Sequence, residues 1–108
     1  MNTSNKALIA LENYSTSKPH VSRSGQDVSF EVEYDDNYMA VAVEMVWSNR
    51  YDELVIDNIH AECFNEDDSE VDITNLDLSA LVIDVFESNN TFCEVEQNMR
   101  EDYRSDYL

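Results

Sequence analysis

The chain has 108 residues and one glycine, and its 24 carboxylates face six Lys and Arg side chains, for a formal charge of −18. This length supports a single domain, 1–108, with a modest core. One glycine cannot build the phosphate-cradling loops or nucleophile elbows of several enzyme classes, and so anionic a surface repels nucleic acid and anionic membranes.

With 43% hydrophobic and 10% aromatic residues in periodic runs, the chain is expected to fold despite its charge. No apolar stretch approaches the roughly 18 residues of a membrane span. The N-terminus lacks a basic region followed by an apolar signal core, so a cytoplasmic protein is expected, in the host cytoplasm if phage-encoded. Cys63 and Cys93 are too few for a disulfide framework and read as reduced thiols, with a single bridge between them left open.

Residues 3–14 place Ala7, Leu8, Leu11 and Tyr14 at helical spacing behind Thr3 or Ser4 as N-cap, which predicts a short amphipathic helix. Residues 15–26 are Ser-rich and hold Pro19 and Gly25, the composition of a connecting loop. From Asp27 the period becomes two: Val28, Phe30, Val32 and Tyr34 alternate with Ser29, Glu31 and Glu33. Asp35, Asp36 and Asn37 signal a tight turn into a second alternating run through Met39, Val41, Val43, Met45 and Trp47. A third β-rich run, Leu54 to Phe64, changes phase near Asp57 and Asn58, where a bulge would reconcile its halves.

Residues 65–72 form an acidic loop that could end in a short strand at Val71 and Ile73. Helical spacing returns with Leu78, Leu81, Val82, Val85 and Phe86 behind Asp77 as cap. Thr91 and Glu94 read as a capping box for a last helix striped by Phe92, Val95, Met99 and Tyr103. The expected fold is α+β: a small antiparallel sheet of three or four strands in a hairpin or meander, with an N-terminal helix and two C-terminal helices on one sheet face.

No nucleophile, base and orienter set stands out, so a non-enzymatic protein is expected. His60 and Cys63, with Cys93 and His20, could supply four zinc ligands, but the spacing is not that of a finger and strand geometry sends His60 and Cys63 to opposite faces. The 65–72 loop could wrap calcium, yet it lacks the glycine and spaced ligands of an EF-hand loop. Neither metal nor cofactor is expected.

The carboxylates are the more informative pattern. Between Ser24 and Met99 the sequence holds 20 of them against one Lys or Arg, Arg50. Glu31 and Glu33, two apart on a strand, project on one face about 6.6 Å apart. Asp84 with Glu87, and Asp102 with Asp106, stand about 5–6 Å apart on helices. Such rows resemble in spacing the phosphate track of a polynucleotide. Glu96 with Arg100 and Glu101 with Arg104 partly neutralise the last helix.

The candidate partner-binding residues are therefore Glu31, Glu33, Asp35, Asp36, Glu66, Asp67, Asp68, Glu70, Asp72, Asp84 and Glu87. The expected function is that of an acidic DNA mimic, which occupies the basic groove of a nucleic-acid-binding protein such as a nuclease, restriction enzyme or CRISPR effector, in the manner of phage anti-restriction or anti-CRISPR inhibitors. Two alternatives are an immunity protein for a nuclease toxin and an acidic adaptor or secretion chaperone gripping a client peptide. A homodimer through an exposed sheet edge stays open.

Overall fold

The computed structural model describes residues 14–74 and 76–107, with side chains as far as 102. Five antiparallel strands come first: β1 (Ser15–Thr16), β2 (His20–Val21), β3 (Asp27–Tyr34), β4 (Asn37–Ser48) and β5 (Glu53–Phe64). They form one sheet in which β3, β4 and β5 lie side by side. β1 and β2 both pair with the outer edge of β3. Two helices follow, α1 (Leu78–Ser88) and α2 (Thr91–Tyr107).

The expected helix arrangement is thus corrected. The described chain runs five strands and then two helices, rather than a helix, three or four strands and two helices. The helix expected over 3–14 falls outside the described residues except for Tyr14, which is not helical and leads directly into β1. The Ser-rich stretch, whose composition predicts a loop, supplies two edge strands of two residues each. Ser17 accepts the Glu31 N–H on its hydroxyl at 2.9 Å and donates its own N–H to the Glu31 carbonyl at 3.0 Å. Pro19 then interrupts the ladder, because it has no N–H to offer, and an edge is where a sheet tolerates that. Too short for any period, these strands exist because β3 presents unpaired backbone groups to them.

The alternation of β3 and β4 buries Val28, Phe30, Val32, Met39, Val41, Val43 and Met45 on one face. Asp57 is the extra residue of a bulge, since Glu44 pairs with Asn58 and Met45 with Ile56. The bulge returns Leu54 and Ile56 to the face of Ile59, Ala61 and Cys63. α1 and α2 lay Leu81, Val82, Val85, Phe86 and Val95 onto that face, where they join the strand residues in one core. The Asp77 carboxylate caps α1 by accepting the Ala80 N–H at 3.0 Å. Asn90, at φ 57°, makes the tight left-handed link to α2, and its N–H donates to the Glu87 carbonyl.

With a single glycine in the chain, left-handed backbone positions fall to other residues. All five such non-glycine residues described are Asp or Asn: Asp35, Asp36, Asp52, Asp68 and Asn90. Short polar side chains tolerate this conformation best among those bearing a Cβ. Asp35 and Asp36, at φ 44° and 63°, form the two-residue loop between the paired Tyr34 and Asn37. Positive φ at both positions marks a type I′ hairpin, whose second position favours glycine. Asp36→Gly should therefore raise stability by about 0.5–1 kcal/mol, the left-handed strain relieved less the entropy a glycine restores to the unfolded chain. A thermal melt checks this, and a fall in melting temperature would show that the Asp36 carboxylate itself supports the turn.

Candidate functional site

The helices cover one face of the sheet and, among the described residues, the other is bare. Across β3, β4 and β5 the bare face reads in rows: Glu33, Tyr38, Phe64; Glu31, Ala40, Glu62; Ser29, Ala42, His60; and Asp27, Glu44, Asn58. All are exposed except the half-buried Phe64. Ser15 and His20 extend two of these rows onto the edge strands. The face thus carries five carboxylates: Asp27, Glu31, Glu33, Glu44 and Glu62. Glu31 and Glu62 flank Ala40, about 9–10 Å apart across two strand spacings. Asp27 and Glu44 stand directly opposite each other, an arrangement of like charges that destabilises a sheet.

Among the described residues, little on this face offsets those charges. His60 Nε2 lies 3.9 Å from Glu44. Asn58 Oδ1 takes the Ile59 N–H at 3.0 Å, which turns its amide nitrogen toward His60 Nε2 at 2.8 Å. The hydroxyl of Tyr38 donates to Glu31, and this bond, ahead of desolvation and the field of Glu31 and Glu33, pushes the Tyr38 pKa up. Lys18 borders the face beside His20, Glu31 and Glu62.

At the β3–β4 turn the bare face meets a hollow of about 650 Å³ lined by Glu33, Asp35, Asp36 and Glu66 together with Tyr14 and Tyr38. Four of the expected residues, far apart in sequence in the case of Glu66, thus converge. The Tyr14 hydroxyl donates to Asp84 and ties α1 to this end of the sheet. Partial burial, and then that hydrogen bond, push the Tyr14 pKa up to about 12.

The other expected residues divide. Asp67 and Asp72 are engaged by their own loop: Asp67 accepts the Ser69 N–H at 3.0 Å, and Asp72 accepts both the N–H and the hydroxyl of Thr74. The Ser69 hydroxyl, and then its N–H, hold the Asp67 carboxyl below its ordinary range, and the Thr74 N–H, and then its hydroxyl, do the same for Asp72. Asp68 occupies a left-handed turn position, and Glu70 makes a lone β-bridge with Phe64 in place of the short strand expected at Val71 and Ile73. Glu87 lies exposed on α1, away from the bare face. Asp27, Glu44 and Glu62 were missed by the sequence reading, although strand phase and hairpin pairing carried the signal.

Among the described residues, no group of three His, Cys, Asp or Glu is placed to hold a metal. Cys63 is buried on the core face, Cys93 is exposed on α2, and both are free thiols. The Glu96–Arg100 pair forms at 2.6 Å, while the Arg104 side chain lies outside those described. No helix among the described residues is long and apolar enough to cross a membrane. No family model, curated protein or solved structure matches the chain.

Proposed function

We propose that this protein is a non-enzymatic inhibitor that presents its carboxylates to the basic groove of a nucleic-acid-binding protein, in place of the phosphates of a polynucleotide. One observation carries the reading. Of the 20 carboxylates between Ser24 and Met99, 18 are exposed, and the ion pairs among the described residues are Glu96–Arg100 and the His60–Glu44 approach. Solubility alone needs far less charge, and mixed signs would supply it without the repulsion between Asp27 and Glu44.

A cationic cleft relieves that repulsion on docking, and the summed field steers fast association. Five carboxylates on a rigid sheet, continuing into Asp35, Asp36 and Glu66 at its end, form an anionic ridge whose spacings the backbone holds. The partner is a nuclease, restriction enzyme, CRISPR effector or toxin of that chemistry.

The test is affinity capture from a bacterial lysate at low salt, with wild type beside a Glu31→Gln, Glu33→Gln, Glu44→Gln, Glu62→Gln variant. These side chains are exposed, so the variant keeps the fold. Wild type should retain a basic nucleic-acid-binding protein that both added DNA, single- or double-stranded, and added salt release, and the variant should lose it. Retention that DNA does not compete, or that the variant matches, would defeat the proposal.

A further inference from the structure

At the end of the sheet opposite Asp35 and Asp36, β4 and β5 run on together past β3. β3 begins at Asp27, opposite Glu44, while β4 and β5 stay paired from Met45 and Ile56 to Ser48 and Glu53. Gln26 still meets this edge, its carbonyl accepting the Met45 N–H at 2.7 Å, and the three pairs beyond carry the ribbon about 10 Å farther. It is apolar on both faces, with Val46 against Val55 on one and Trp47 against Leu54 on the other. Val46 is 38% exposed, Trp47 36% and Tyr51 64%, so three of the five exposed large hydrophobic side chains among the described residues lie within six residues. The tip also holds the sole tryptophan and the sole Lys or Arg between Ser24 and Met99. The Arg50 guanidinium sits 5.3 Å from the centre of the Tyr51 ring. Trp, Tyr and Arg are the residue types that most often dominate binding energy at protein interfaces.

Folding does not explain these residues, because a ribbon projecting into water has little to bury them against. Charge identifies what covers them. Exposed Asp52, Glu53 and Asp57 frame the aromatics. A second copy would bring its own charge of −18 and be repelled. Aromatic groups set among carboxylates complement a groove for single-stranded nucleic acid, where cationic walls track the phosphates and aromatic platforms stack the bases.

We infer that the β4–β5 hairpin is the anchor that enters such a groove, with Trp47 and Tyr51 on the base-stacking platforms and Asp52 and Glu53 at phosphate positions. The inference rests on the cationic-groove reading above and narrows its partner to a single-strand-binding protein.

Trp47 is the only tryptophan, so its emission reports docking at the hairpin directly. The full chain is titrated with two synthetic peptides of equal length and charge, one alternating Lys and Phe, the other Lys and Ala. The Lys/Phe peptide should bind about tenfold more tightly and shift Trp47 emission to the blue. Tyr51→Ala, which removes a largely exposed side chain, should erase most of that difference and leave Lys/Ala affinity unchanged. Equal affinities with unmoved emission, or a difference that Tyr51→Ala leaves intact, would overturn the hairpin anchor while the acidic-surface reading stands. Failure of the Lys/Ala peptide to bind at low salt would overturn that wider reading instead.

Discussion

Phe86→Ala is expected to destabilise the protein by about 3–5 kcal/mol, enough to unfold much of the population of a domain this size near physiological temperature. Phe86 has no exposed surface. It meets Phe30 of β3 edge to face at 6.3 Å between ring centres and Phe92 of α2 at 5.2 Å. One side chain on α1 therefore joins the sheet to both helices. Truncation removes the transfer energy of the ring and leaves a cavity that strands on one side and helices on the other cannot collapse into. Each edge-to-face pair adds about 0.5–1.5 kcal/mol beyond area burial. Denaturant unfolding followed by circular dichroism measures the loss, and a change under about 1 kcal/mol would mean that the helix pair does not pack on the sheet through this ring.

Gly25→Ala should cost about 2–5 kcal/mol although it adds one methyl group. Gly25 has φ +79°, and a Cβ there would stand 2.6 Å from the Val95 carbonyl oxygen and 2.9 Å from the Met99 nitrogen. Both are backbone atoms of α2, which cannot rotate aside. The turn from Ser22 to Asp27 is pressed against that helix, and Asn98 secures it by donating from its amide to the Ser22 carbonyl at 3.0 Å. The cost thus combines left-handed strain with a clash against the helix backbone. A melting temperature within a few degrees of wild type would show that the turn lifts off α2 freely. The chain spends its one glycine at the point of closest backbone approach and fills its other described left-handed turns with Asp and Asn.

That substitution pattern complicates the acidic surface. Asp35, Asp36, Asp52 and Asp68 each have a backbone reason to be where they are, and Asp67 and Asp72 cap turns in their own loop. The bare-face glutamates have no such reason. Glu31, Glu33, Glu44 and Glu62 sit mid-strand, where glutamate is disfavoured. Under the proposed function these four, more than the turn aspartates, stand in for phosphates.

Periodicity in the sequence determined the hairpin of β3 and β4, the bulge at Asp57, the Asp77 cap and the apolar stripe of α1, because each depends on neighbours within a few residues. Tertiary structure decided the rest. The edge strands at Ser15–Thr16 and His20–Val21 are too short for any pattern and arise from the hydrogen-bonding demand of β3. Strand phase sets Asp27, Glu31 and Glu33 on one face, but cross-strand register was needed to set Glu44 and Glu62 beside them and to bring Glu66 to Asp35 and Asp36. The run of Val46, Trp47, Leu54 and Val55 has the alternation of core strands, and the fold exposes part of it because β3 ends where that stretch begins. Local sequence sets which way a side chain points from its strand; whether another layer meets it there depends on where distant strands and helices stop.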